Sequence, residues 1–421
     1  MRLKTIQDCS DALTELTQSE RNQHGGSMTT ERAAQLARSV GSPHMKLKVV
    51  HVAGTSGKTS TAYFTSGLLR ASGAKVGLTV SPHIDSIAER ALINGETLPD
   101  DVYIEYFSEF FDLVKASGLL FSYFECMMVF ALWVFAREKV DYAVIETGLG
   151  GLYDASNICQ QANKICVITD IGLDHTHVLG NTIYDIATQK AGIAWEGNKL
   201  VAYEQSPDVS RAIRERMTEV GSIWHTAAAT TYNEDSRIPK FQQRNWQLAN
   251  ATYGLIAKRD GLLGLHPEEI ASTQEFQVPS RMERIIVGDK TVIVDGAHNE
   301  QKMKVFFDSF HALYSDVRPT ILLSLRKNKD IESIAAIISQ VTDTVIVTEF
   351  TREQDMPAGA RSVEDISNNL RNAGVENIVE QSNVSTALDL LLGDKGRVVL
   401  VIGSFFLAAE VTKLLKKKQL L

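Results

Sequence analysis

The chain has only four cysteines in 421 residues. Cys9, Cys126, Cys159 and Cys166 form no C-x-x-C pair and no metal-ligand spacing, so neither a disulfide scaffold nor a cysteine-bound metal is expected, and a reducing cytoplasm fits. Basic runs are equally scarce. Lys and Arg number 43 against 51 Asp and Glu, a formal charge of −8, and the one short cluster, Lys416 to Lys418, closes an apparent last helix whose dipole it complements. A nucleic-acid partner is therefore not expected. Long apolar runs are missing too: Cys126 to Ala136 falls far short of the roughly 20 residues that a membrane span needs and reads as a buried helix. The first residues, MRLKTIQDCSDALTEL, are too polar for a signal peptide. Internal repeats and low-complexity segments are absent, and nothing in the composition requires more than a monomer.

What is present is ordinary globular material, 44% hydrophobic and 22% charged, enough for two or three domains with cores of their own. Two short helices with a polar turn at Asn22 to Ser27 fill residues 1–45. A strand over 46–54, a helix over 58–72 and a strand over 75–80 lead into a long loop that starts at Ser81. Helices over 100–116 and 122–138 precede strands at 141–147 and 164–171, and a helix follows over 183–194. Residues 224–240 read as a polar loop and 241–261 as a helix. From Lys290 onward, strands and helices alternate again. The expected fold is α/β: an N-terminal domain, 1–278, with a mainly parallel sheet flanked by helices, a linker over 279–289 where Pro279 breaks the pattern, and a smaller Rossmann-like α/β domain over 290–421.

The stretch that organises the chain is Val49 to Ser60, VVHVAGTSGKTS. An apolar, β-branched run ends in Gly54 and Gly57, which bracket Thr55 and Ser56, and Lys58, Thr59 and Ser60 open a helix. Loop and first-turn N–H groups and the helix dipole all favour an anion, Lys58 adds a point charge, and Thr59 adds a hydroxyl for Mg²⁺. The spacing departs from G-x-x-x-x-G-K-[ST], since Val52 stands five before Gly57. Two further strand ends carry candidates: Glu146 leads into GLGGLYDASN, and Asp174 and His175 follow the next strand. Open parallel sheets keep their sites at such ends.

The shorter loop resembles that of the Mur ligase superfamily, which joins an amino acid to a carboxylate through an acyl phosphate. Further matches are SPHI, ER and ING within 81–95, FE at 124–125, ETGLGGLYDASN at 146–157, ITDIGLDH and LGNT within 168–182, and IATQKAGI at 186–193. In the second domain they are SRMER at 280–284, VDGAHN at 294–299, NKD at 328–330 and GSFF at 403–406. In this order they resemble the folate branch of that superfamily, the folylpolyglutamate and dihydrofolate synthases.

The resemblance implies an ATP-dependent ligase that adds L-glutamate to a reduced folate, with dihydropteroate as a second acceptor. It implies ATP contacts from Gly54, Thr55, Ser56, Gly57, Lys58, Thr59, Ser60, Asn250, Arg281, Asp295 and His298. It implies one Mg²⁺ at Thr59 and a second held by Ser81, Glu146 and His175, with a carbamylated Lys190 in K-A-G-I as an anionic oxygen ligand, and it assigns catalysis to Lys58, Lys190 and His175. From the residues alone, His175 is equally a hydrogen-bonding core histidine and Lys190 a plain ammonium paired with phosphate or Glu146. Two positions depart from the family pattern: Leu152 stands where an arginine usually follows GLGG, and Asn328 replaces an acidic residue. The rivals are a cell-wall ligase acting on a UDP-sugar peptide, whose extra domain would not fit in the roughly 50 residues before Gly54, and a non-catalytic nucleotide-gated regulator.

Overall fold

The computed structural model describes residues 3–21, 29–233, 236–351 and 359–418; the polar turn expected at 22–27 lies outside them. The chain divides into two compact units, residues 1–234 with 241–276, and 235–240 with 277–421.

The first unit is built on a seven-stranded sheet. Its strands are β1 (Val49–Ala53), β2 (Val76–Thr79), β3 (Leu92–Ile93), β4 (Tyr142–Glu146), β5 (Ile165–Ile168), β6 (Lys199–Ala202) and β7 (Ile223–Thr226), in the order β3-β2-β4-β1-β5-β6-β7. Only β3 runs antiparallel to its neighbour. β1, β4 and β5 are buried along their whole length, as strands covered on both faces must be, and their sequences are accordingly almost unbroken runs of Val, Ile and Ala. Around Tyr103, Phe107, Phe110 and Phe130, the helices Asp100–Ser117 and Tyr123–Arg137 form an aromatic core. A second cluster packs the helices Ile183–Ala191 and Pro207–Glu219 onto β5 and β6 through Ala187, Ala191, Ile213 and Met217. Register decides the site: β1 lies between β4 and β5, with Val52 opposite Glu146 and Ala53 opposite Ile168. The loop after β1 therefore emerges between the ends of β4 and β5.

The second unit holds six strands, β8 (Glu283–Val287), β9 (Lys290–Val294), β10 (Thr320–Leu323), β11 (Thr344–Val347), β12 (Asn377–Glu380) and β13 (Val398–Ile402), in the order β12-β11-β10-β13-β9-β8. All pairs are parallel except β8 with β9.

Three expectations need correction. Residues 283–287, expected within the linker, form β8, because Val287 pairs with Lys290 across a two-residue Gly288-Asp289 turn. Gly288 takes φ 61° there, which glycine adopts without strain. Residues 223–226, mostly assigned to a loop, are the edge strand β7, whose backbone pairs with β6 while Ile223 stays 58% exposed; so little burial leaves no apolar signature. The helix expected over 183–194 ends at Ala191, with Gly192 as its cap.

Several motifs turn out to build the frame. Ser122 and Glu125 form a reciprocal cap on Tyr123–Arg137, and Glu125 also holds the Arg32 guanidinium at 3.0 Å. Thr182 and Asp185 cap Ile183–Ala191 in the same way. Asp330, in the segment where Asn328 departs from the family pattern, caps Ile331–Val341 through Ser333.

Candidate functional site

Gly57, at φ 87°, precedes the helix Lys58–Ala71, so the chain turns sharply and the first-turn N–H groups, which have no acceptor within the helix, face outward. No side chain fits at either bracketing glycine: a Cβ on Gly54 would fall 1.8 Å from Thr169 Oγ1, and one on Gly57 would fall 2.3 Å from Asn245 Oδ1. Thr55 and Ser56 both donate their amides to the Asp170 carbonyl, at 2.9 and 3.1 Å. Thr55 Oγ1 also donates to Gly172 O at 3.0 Å. These two residues thus anchor the loop with their amides, whereas the amides of the first turn of the helix, 57–60, have no acceptor within the helix.

Lys58 Nζ donates to Gly54 O at 3.0 Å, and Lys190 Nζ reaches the same oxygen at 2.8 Å. Two amines share one carbonyl. Lys190 is 3% exposed; burial first, and then the charge of Lys58, depresses its pKa to about 7. Much of the amine is therefore neutral at physiological pH, unlike a solvated lysine. The GLGG segment explains how Lys190 is seated: a Cβ on Gly151 would lie 2.6 Å from Gln189 O and 3.0 Å from Lys190 Cα, so only glycine allows this approach. Leu152 occupies the position of the missing arginine and packs against Gly192.

Glu146 ends β4 with its side chain 2% exposed. Thr59 Oγ1 donates to Glu146 Oε1 at 3.0 Å, and the Ser81 amide donates to Oε2 at 3.0 Å. The structure thus brings Thr59, Ser81 and Glu146 together. They supply hydroxyl and carboxylate oxygens, the donors that a hard cation such as Mg²⁺ takes. His175 sits at φ 47°, half-exposed, with Nε2 3.6 Å from Asp174 Oδ1; burial and then nearby positive charge, offset in part by Asp174, lower its pKa. Among the described residues, no three His, Cys, Asp or Glu side chains cluster so as to hold an ion. Asn250 is half-buried on the helix Lys240–Asp260. It is Asn245, on the same helix, that touches the loop.

The motifs of the second unit assemble separately. Ser280 and Met282 adopt φ 54° and 51°, so the backbone is strained on both sides of Arg281. The Arg281 guanidinium lies 4.2 Å from the centre of the Phe405 ring, and His298 meets the same ring edge-on at 5.7 Å. Asp295 is buried and accepts the amides of Met282 at 2.8 Å and Ala297 at 2.7 Å. Burial raises its pKa and pushes that of His298 down to about 3. His298 is therefore a neutral imidazole, with Nδ1 2.6 Å from Gly296 O. Asp170, Arg244, Asn245 and Phe405 carry no role that the sequence alone assigns: Asp170 stands in ITDIGLDH and Phe405 in GSFF, whereas Arg244 and Asn245 lie in no quoted motif and are brought in by contacts remote in sequence.

Residues 52–254 match the Mur ligase middle domain, and 280–405 match the Mur ligase glutamate ligase domain. The dihydrofolate synthase/folylpolyglutamate synthase of Bacillus subtilis is 27% identical over 421 residues, covering 91% of this chain and 94% of the relative. The folylpolyglutamate synthase of Lacticaseibacillus casei is 27% identical over 423 residues, with coverage of 91% and 94%. Mycobacterium tuberculosis folylpolyglutamate synthase, solved with ADP and AMPPCP, superposes with a TM-score of 0.79 at 25% identity over 97% of this chain and 98% of that one. E. coli FolC in complex with DHPP and ADP gives 0.79 at 25% identity, covering 100% and 99%. With both domains matched in order and relatives aligned along nearly their full length, the chain belongs to the Mur ligases, in their folylpolyglutamate and dihydrofolate synthase branch.

Proposed function

We propose that this chain is an ATP-dependent ligase that joins L-glutamate to a folate, and that it also accepts dihydropteroate. The observation that carries the reading is the meeting of Lys58, Lys190 and the Thr59–Glu146 pair at the ends of β1 and β4. A substrate carboxylate that approaches a triphosphate meets a repulsion of about 4 kcal/mol per unit charge pair at 4 Å and an effective dielectric of 20. Fixed positive charge has to offset it. Lys58 and the first turn of its helix bind and orient the phosphates. The acceptor carboxylate attacks the γ-phosphorus and ADP leaves; the glutamate amine then attacks the acyl carbon and phosphate leaves, giving the amide and releasing a proton. Mg²⁺ would be held by Thr59 at one site and by Ser81, Glu146 and His175, with a carbamylated Lys190, at a second. When bound, it neutralises charge between the two anions. Arg281, Asp295, His298 and Asn250 are the proposed nucleotide contacts of the remaining motifs.

Lys190 is proposed to be carbamylated. Its near-neutral amine is the form that attacks CO₂, giving a carbamate and a proton and turning a buried cation into an oxygen ligand. Dihydropteroate as a second acceptor is supported by the double name of the Bacillus subtilis relative. The four reduced, buried cysteines accord with the proposed cytoplasmic location, and among the described residues no helix is long and apolar enough to cross a membrane. The test is phosphate release from Mg-ATP with glutamate and either tetrahydrofolate, dihydropteroate or no acceptor, with products weighed by mass spectrometry. Release with both acceptors and a gain of one glutamate residue in each is expected. No stimulation by either acceptor would remove the folate assignment.

A further inference from the structure

We infer that Arg244 is a positioning residue for the phosphate loop, acting through Asp170. This rests on the reading of residues 54–60 as the ATP site. Asp170 is the point from which the loop is held, because its carbonyl accepts the amides of both Thr55 and Ser56. Its carboxylate is 42% exposed, a negative charge three covalent bonds from the carbonyl that shapes an anion site. Left alone, it would repel a triphosphate and could swing.

Arg244 addresses both problems. Its Nε lies 2.9 Å from Asp170 Oδ2 and its Nη2 lies 2.8 Å from Oδ1, a two-pronged geometry that lysine cannot reproduce. The guanidinium is itself held: it stacks 4.0 Å from the Tyr203 ring centre, and Nη1 donates to Thr230 Oγ1 at 3.1 Å. The Tyr203 hydroxyl in turn donates to the Arg244 carbonyl at 3.0 Å. Gln205 braces the same segment, accepting from the Ile171 amide at 2.9 Å and donating to Thr169 O at 3.1 Å. The next residue along the helix, Asn245, closes on Gly57. One helix therefore sets both ends of the loop.

The experiment is steady-state kinetics on Arg244→Gln, Arg244→Lys, Asp170→Asn, the double variant Arg244→Gln with Asp170→Asn, and Lys58→Ala, with thermal melting of each. Arg244→Gln is expected to raise the KM for ATP about tenfold and leave the KM for glutamate within twofold, with a Tm close to that of the parent. Arg244→Lys is expected to fall between the two. The double variant is expected to recover most of the loss, since removing the carboxylate removes the charge that Arg244 offsets. An unchanged KM for ATP in Arg244→Gln, a parallel rise in both KM values with a lowered Tm, or no recovery in the double variant would overturn the inference. Lys58→Ala separates the two levels: if it binds ATP normally the loop assignment itself falls, whereas its failure beside a normal Arg244→Gln removes only the role of Arg244.

Discussion

The two units of the chain place polar groups by different means. In the first, buried ionisable side chains do it: Glu146 between Thr59 and the Ser81 amide, Lys190 on the Gly54 carbonyl, and Asp154 accepting from Ser156 and the Leu149 amide. In the second, one buried carboxylate, Asp295, also accepts amides, but Arg281 is aimed by the backbone: it stands between two left-handed residues, and the Phe405 ring supports its guanidinium. The contrast follows from position. Glu146 ends a strand of a parallel sheet that is already rigid, so the sheet aims it, while Lys190 is seated by the helix Ile183–Ala191. Arg281 lies just before the edge strand β8, where no interior ladder fixes direction and local conformational strain of about 1–3 kcal/mol per residue supplies it.

The largest expected effect tests the first mode. Lys190→Ala should lower kcat by about 10²–10³-fold, the scale of losing one charge-stabilising group, and short carboxylic acids should restore part of it. Full activity without supplement would end the carbamate proposal. Gly54→Ala belongs to the same class, because the Cβ has no room beside Thr169, and loss of ATP binding is the expected readout in a nucleotide titration.

A pH series probes the same lysine. With a folded pKa of about 7, the amine is increasingly neutral above that pH and charged below it. Activity after equilibration at fixed total bicarbonate should therefore fall as pH drops through 7, with added CO₂ partly reversing the loss. The stability sign is separate. An unfolded lysine keeps its proton to about pH 10.4, so the unfolded chain binds more protons between pH 7 and that value. This lysine's contribution to stability should then improve as pH rises across that window. Lys190→Met, which removes the buried amine, should flatten that part of the profile in chemical denaturation.

Arg281→Ala tests the second mode, with an expected rise of about tenfold in the KM for ATP and little change in Tm; unchanged nucleotide affinity would return Arg281 to a purely structural role. Ser280→Gly sharpens the point in the opposite direction, since Ser280 has a small side chain and shares the left-handed conformation beside Arg281. Relief of its left-handed φ should stabilise the chain by about 1 kcal/mol, while the freer backbone should weaken ATP binding. The smallest effect is expected far from both sites: Arg318→Ala breaks an exposed pair with Asp343 and should alter stability by less than about 1 kcal/mol.

What the residues determine by themselves is local or ordered along the chain. The VVHVAGTSGKTS stretch announces a strand, a glycine turn and a helix start, because periodicity, left-handed glycines and first-turn polarity act within a few residues. The alternation of strands and helices announces two α/β units for the same reason, and the ordered motifs point to the family. Tertiary structure decided the rest. Asp170 and Arg244 are 74 residues apart, and nothing in either neighbourhood says that one will clamp the other. The depressed pKa of Lys190 arises from burial and from Lys58, not from K-A-G-I itself. β7 and β8 exist through pairing with neighbours that burial patterns do not reveal. Burial and long-range pairing are properties of the folded chain, and in this protein they aim the residues that the sequence only supplies.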